Sequence, residues 1–342
     1  MPADFVNYIR SSNPLLLVRT YEEFRALNRF ITQLSQVKKK SDKTPAYQTY
    51  VWSLHGGIRL AEIVDGKLRI GNTAIEGTEK NPPAALTWME KTAPDNTVLF
   101  LRDYHPYMTE KYEKGQSIIA KIRDLVRTFN AQNKALVFIS PAMQIPSDLE
   151  KDITPVEFKL PDKAELLTVL KGVCLATGAR MPKEAEVDAI LDAALGMTSV
   201  EAENAFSLSL VEAKKFDPAL IRREKAVIVK KSGILEVIET LESLDTIGGL
   251  ENAKAWALIK KECFTPEARA FGASSPKGIL LMGIPGCGKS LLAKALSTAF
   301  GRPLLRLDFS SIMDKWVGGS EGKMKLCLDT AEAVSPSILW IW

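Results

Sequence analysis

The feature that most constrains this chain is a glycine-rich run, Gly283-Ile284-Pro285-Gly286-Cys287-Gly288-Lys289-Ser290, set between an apolar stretch at 278–282 and a helix-patterned stretch at 291–300. Read as strand, tight turn and helix, the GxxxxGKS spacing describes a loop that wraps phosphates with its backbone N–H groups. Glycine is needed where φ must turn positive or where a Cβ would block the anion. The helix start adds unpaired amides and the positive end of its dipole. Lys289 is then placed to reach β and γ phosphates, and the Ser290 hydroxyl to ligate Mg²⁺. Leu291 completes the set of candidate nucleotide contacts. Cys287 admits two readings, a small side chain tolerated inside the loop or a thiol activated for redox sensing by the amides around it.

A loop of this kind implies a parallel sheet behind it, and the rest of the chain supplies strands and helices in alternation. Residues 15–18 are an apolar run followed by Phe24, Leu27, Phe30 and Ile31 at helical spacing. Residues 47–54 alternate as a strand does, and 58–70 read as a hairpin about Asp65-Gly66. Pro82 and Pro83 open a helix that runs to Met89, and residues 98–101 form an apolar strand ending in Arg102-Asp103. A helix over 118–129, a strand over 135–139 and a last strand over 155–160 follow. From 162 to about 231 the pattern is purely helical, over 164–175, 184–195, 199–213 and 218–229, and the strand-helix alternation restarts at Gly278.

The expected architecture is therefore α/β, with a sheet domain over 1–160, a helical bundle over 161–231 and a second sheet domain over 232–342. Lys plus Arg number 45 against 41 Asp plus Glu, an excess of +4 that is too small and dispersed for a nucleic-acid footprint. The basic run Lys38-Lys39-Lys40 reads as a solvated loop. Four scattered cysteines without a CxxC pair, and only two histidines, argue against a disulfide framework or a zinc site. No apolar run approaches the length of a membrane span, so the expectation is a soluble protein of the cytoplasm or plastid stroma.

Beyond the phosphate loop, the residues resemble those of the AAA ATPases, among them the AAA-domain proteins of cyanobacterial and plastid genomes. Asp245-Thr246-Ile247-Gly248-Gly249-Leu250 is similar to the segment whose backbone borders the adenine in that family, which makes Ile247 and Gly248 candidates for base contact. Leu304-Leu305-Arg306-Leu307-Asp308 is similar to the second strand. Lys315-Trp316-Val317-Gly318-Gly319-Ser320-Glu321 is similar to the pore loop, in which Trp316 and Val317 would grip a translocating polypeptide; by residue type alone, Trp316 also suits a buried position at a helix start. The resemblance implies ATP and Mg²⁺ as cofactors, hydrolysis at the γ-phosphate, a homo-oligomeric ring and a protein substrate, with no nucleic acid or membrane partner.

It extends to residues 13–230, whose element order matches a first AAA-like module carrying a lid-like helical bundle. There Val18-Arg19-Thr20-Tyr21 joins strand to helix with no glycine and no Lys-Ser pair, so this module is expected not to bind ATP. Asp103 stands where a magnesium-associated aspartate would be, but Tyr104 follows it rather than a glutamate. In the second module the apolar strand at 337–341 leads to Trp342 where the family has Asp-Glu. The expectation is a module truncated at its C-terminus that binds nucleotide weakly and does not turn it over, with no catalytic residue assigned. A non-hydrolysing nucleotide sensor or scaffold is the alternative, and a small-molecule P-loop kinase leaves the first module unexplained.

Overall fold

The structure is a computed structural model that describes residues 5–11, 13–39, 44–109, 111–231, 235–238, 242–264, 268, 270–274, 276–307, 324, 327–328, 331–332 and 337–341. The chain forms two compact units, residues 1–159 and 160–342.

In the first unit the order is α1 (Phe5–Arg10), β1 (Leu15–Val18), α2 (Glu23–Gln36), β2 (Gln48–Ser53), β3 (Gly57–Val64), β4 (Lys67–Ile70), α3 (Pro82–Lys91), β5 (Thr97–Arg102), α4 (Gly115–Gln132), β6 (Ala135–Ile139) and β7 (Thr154–Val156). These strands make one sheet in the order β4-β3-β2-β5-β6-β1-β7, parallel from β2 to β7 and antiparallel where β3 and β4 are added at one edge. The apolar runs of β1 and β6 are buried along their whole length because helices cover both faces. Alternate residues serve opposite cores. Leu15, Leu17, Leu99, Leu101, Leu136 and Phe138 face the layer of α3 and α4. Leu16, Val18, Phe100, Val137 and Ile139 face α1 and α2, where Phe5 stacks on Phe30 at 4.1 Å between centroids. Each such side chain contributes on the order of 1.5–3 kcal/mol by leaving water. The hairpin turns on Asp65 and Gly66, both at positive φ, as a two-residue loop between twisted strands requires.

Two expectations need correction here. Phe24 is 62% exposed rather than part of the buried stripe, because the face of α2 that meets the sheet is set by Ala26, Leu27, Phe30, Ile31 and Leu34. The last strand is confined to Thr154–Val156, and Leu160 lies exposed beyond it.

The second unit begins with a helical bundle, α5 (Lys163–Thr177), α6 (Glu184–Ala194), α7 (Ser199–Ala213) and α8 (Pro218–Lys231). Asp162 and Thr198 cap α5 and α7 in reciprocal boxes with Glu165 and Glu201, which fixes where those helices start. Their core is built on Leu166, Leu170, Ile190, Leu191, Phe206 and Ile221. Next come β8 (Glu236–Ile238), a 3₁₀ turn (Leu244–Thr246), α9 (Glu251–Glu262), α10 (Lys289–Phe300), β9 (Leu304–Leu307) and β10 (Ile338–Ile341). β9 sits between β10, its parallel partner, and antiparallel β8.

The apolar stretch at 278–282, expected as a strand, carries no ladder, and Leu280 and Met282 are 81% and 82% exposed. A strand exists through the hydrogen bonds of its neighbours. In the first unit β1 has β6 on one side and β7 on the other, whereas no described strand of the second unit lies beside 278–282.

Candidate functional site

The glycine-rich turn runs from Gly283 into α10 through two glycines in the left-handed region, Gly286 at φ 82° and Gly288 at φ 86°. For an L-residue with a side chain that conformation costs roughly 1–2 kcal/mol, so these glycines are a backbone requirement. At Gly283 the need is different: an added Cβ would meet the Cys287 Sγ at 2.6 Å. Gly288 also caps α10, leaving the first amides of that helix without backbone acceptors, as at any helix start. Gly283, Ile284, Pro285, Gly286 and Cys287 are all exposed; Pro285 carries no N–H, and the Cys287 N–H donates to the Ile284 carbonyl at 3.4 Å.

Lys289 folds back across this loop. Its Nζ donates to the carbonyl oxygens of Gly283 at 2.9 Å and Ile284 at 2.7 Å, and lies 3.6 Å from the Cys287 Sγ. A positive charge is thereby tied to the start of the turn. Ser290 is exposed in the first turn of α10, and its hydroxyl makes no hydrogen bond to the described residues. Leu291 is half-buried beside Leu292, Ala295 and Leu296, which seat the helix. Helix-start amides, one ammonium and one hydroxyl without a partner among the described residues are a donor set that suits a magnesium-bound polyphosphate.

The segment expected to meet the base packs on the same helix. The Ser243 Oγ accepts from the Asp245 N–H at 3.1 Å to start the 3₁₀ turn, and Gly249 and Leu250, at φ 71° and 59°, swing the chain into α9. Ile247 is buried among Leu244, Ala257, Leu292 and Leu296. Its side chain is therefore committed to the core, and what it can offer a base is backbone. Gly248 is exposed, with no atom within 4 Å of where a Cβ would stand. Trp316 and Val317 lie outside the described residues, as do Asp308 and Trp342.

The turn between β1 and α2 in the first unit is closed by side chains. The Arg19 Nε donates to the Met143 carbonyl at 3.2 Å, and the Glu22 N–H donates to the Thr20 Oγ1 at 3.0 Å. Glu22 is buried and paired with Arg25 at 2.8 Å. Glu23, at the start of α2, pairs with Arg102 at the end of β5. Burial raises the Glu23 carboxyl above the ordinary carboxylate value; Arg102 pulls it back, and Asp103 adds to the rise. Asp103 itself holds φ at 47°, and His105 Nδ1 lies 2.8 Å from the Ser140 Oγ. The Glu23–Arg102 pair escaped the sequence reading; the one available signal was an arginine ending an otherwise apolar strand.

Three sequence families match the chain: "SpoVK-like AAA ATPase, N-terminal domain" over residues 1–158, "SpoVK-like AAA ATPase, second domain" over 164–232, and "ATPase family associated with various cellular activities (AAA)" over 279–341. The chain is 34% identical over 266 residues to the "Uncharacterized AAA domain-containing protein ycf46" of Gracilaria tenuistipitata var. liui, covering 77% of this chain and 53% of that protein. With the protein of the same name from Trieres chinensis it shares 29% over 343 residues, 99% of this chain and 64% of the relative. The human "ATPase family gene 2 protein homolog A" is 38% identical over 105 residues, 29% of this chain and 11% of that protein. The chain thus spans between about half and two thirds of the length of the ycf46 relatives. Among the described residues no helix is long and apolar enough to cross a membrane.

Proposed function

Because the chain belongs to the AAA ATPase family, we propose that its second unit binds ATP through residues 283–291. In this reading the amides of 286–290 hold the β-phosphate, Lys289 exchanges the carbonyls of Gly283 and Ile284 for phosphate oxygens, and Ser290 supplies a ligand to Mg²⁺. A metal held by Ser290 would offset the charge of the phosphates. The backbone at Ile247 and Gly248 borders the base. The observation that carries this is the ammonium of Lys289 held over an exposed turn whose glycines adopt positive φ.

The division into 1–160, 161–231 and 232–342, with the middle part as the lid of a first module that binds no nucleotide, belongs to the same proposal. So do a homo-oligomeric ring, a polypeptide substrate gripped by Trp316 and Val317, coupling of γ-phosphate hydrolysis to its remodelling, and residence in the cytoplasm or plastid stroma. A titration of the chain with a fluorescent ADP analogue and Mg²⁺ tests the core of the reading. Saturable binding that Lys289→Ala weakens supports it; binding indifferent to that change refutes it.

A further inference from the structure

A second recognition surface lies on the first unit, at the free edge of β4. The register pairs Ala61 with Ile70, Glu62 with Arg69, Ile63 with Leu68 and Val64 with Lys67, and the Gly71 N–H donates to the Leu60 carbonyl at 2.8 Å. In an antiparallel ladder, residues alternate between turning both backbone groups toward the partner strand and turning both away. Since Gly71 turns toward β3, Arg69 and Lys67 do the same. Leu68 and Ile70 therefore point their N–H and C=O outward. β4 ends the sheet, and no described strand pairs with that edge.

Grooves flank this edge on both faces. On the α2 side, Phe24, Asn28, Leu68 and Ile70 line a groove of about 400 Å³. The exposed Phe24 ring that walls it is braced by the Arg102 guanidinium, 4.9 Å from its centroid. On the other side, Leu60, Glu62, Arg69 and Asn72 line one of about 380 Å³. A strand laid along β4 sends successive side chains alternately into the two grooves, while its backbone meets the outward groups of Leu68 and Ile70.

Charge narrows the occupant. Lys67 and Arg69 are both exposed and share the face of the second groove, with Glu62 one strand further in. The same edge from a second copy would set these cations against their equivalents, and like charges directly opposite are unfavourable. We infer that the outer edge of β4 captures an extended segment of another polypeptide by strand addition, apolar residues entering the groove of Phe24, Leu68 and Ile70 and acidic residues lying opposite Lys67 and Arg69.

The test uses the whole 342-residue chain and two fluorescein-labelled probes, a peptide of alternating valine and glutamate and one of alternating valine and lysine, followed by anisotropy. The valine-glutamate peptide is expected to bind at least about tenfold more tightly. Lys67→Glu with Arg69→Glu should invert that preference, a gain of binding that an unfolded variant cannot produce. N-methylating the peptide amides at every second position should abolish binding in one register and spare it in the other. Absence of binding up to millimolar peptide, equal affinity for both peptides, or indifference to the methylated register overturns the proposal. A concentration-dependent dimer lost on Ile70→Pro assigns the edge to a second copy and overturns it as well.

Discussion

The turn at 283–290 leads into α10 and the turn at 19–22 leads from β1 into α2, and the two are built in opposite ways. One spends its backbone freedom on positive-φ glycines, stands exposed and ties a lysine to two of its carbonyls. The other has no glycine, satisfies its polar groups internally through Thr20 and Arg19, and stands beside the Glu23–Arg102 pair. The fold supplies the position, and a handful of side chains decide whether it is a binding site. The strands behind them differ too. β1 is buried between two neighbours, whereas 278–282 has no ladder and is exposed except at half-buried Leu281.

That contrast can be broken most forcefully at the lysine. Loss of an ammonium-phosphate contact is worth roughly 2–3 kcal/mol, so Lys289→Ala should weaken Mg·ADP binding by about 30- to 150-fold in a fluorescence titration. Arg19→Ala, the same kind of change in the first unit's turn, should leave that affinity unaltered. Next in size is Gly288→Val. A β-branched residue at φ 86° is strained by roughly 1–2 kcal/mol, and the expected outcome is about tenfold weaker nucleotide binding with the far-UV spectrum retained.

The smallest effect sharpens the other side of the comparison. Because the folded-state carboxyl of Glu23 lies above its ordinary value of 4.5, the native state holds that proton more tightly than the unfolded chain. Its contribution therefore falls as pH rises from about 4.5 through the raised value and stays flat above it. Thermal unfolding across that window should show a downward slope in the parent chain that Glu23→Gln lacks. An identical slope in both would remove Glu23 from the account of how the first turn is closed.

Much of this could be read from the residues because the signals were local. The apolar runs of β1, β5 and β6 are flanked by turn residues and leave little choice of state, and the glycines at 286 and 288 announce the backbone they adopt. What escaped reading depended on distant partners. Phe24 fits a helical stripe by spacing, but the sheet meets α2 one position round, and Arg102, far off in sequence, takes the ring instead. Helix α1 is too short to show a periodicity of its own; its Phe5, Val6 and Ile9 find a core only once α2 is in place. Residues 278–282 have the composition of a strand, and composition is silent about neighbours. The commitment of Ile247 to the core likewise became visible only when α9 and α10 closed around it.

The most direct measurement of the central claim is hydrogen exchange of the chain with and without Mg·ADP, resolved by peptide. Protection is expected in peptides covering 283–292 and 243–250, with no change over 15–23. Protection over 15–23, or none at 283–292 under saturating nucleotide, would contradict the assignment of the site to the glycine-rich turn.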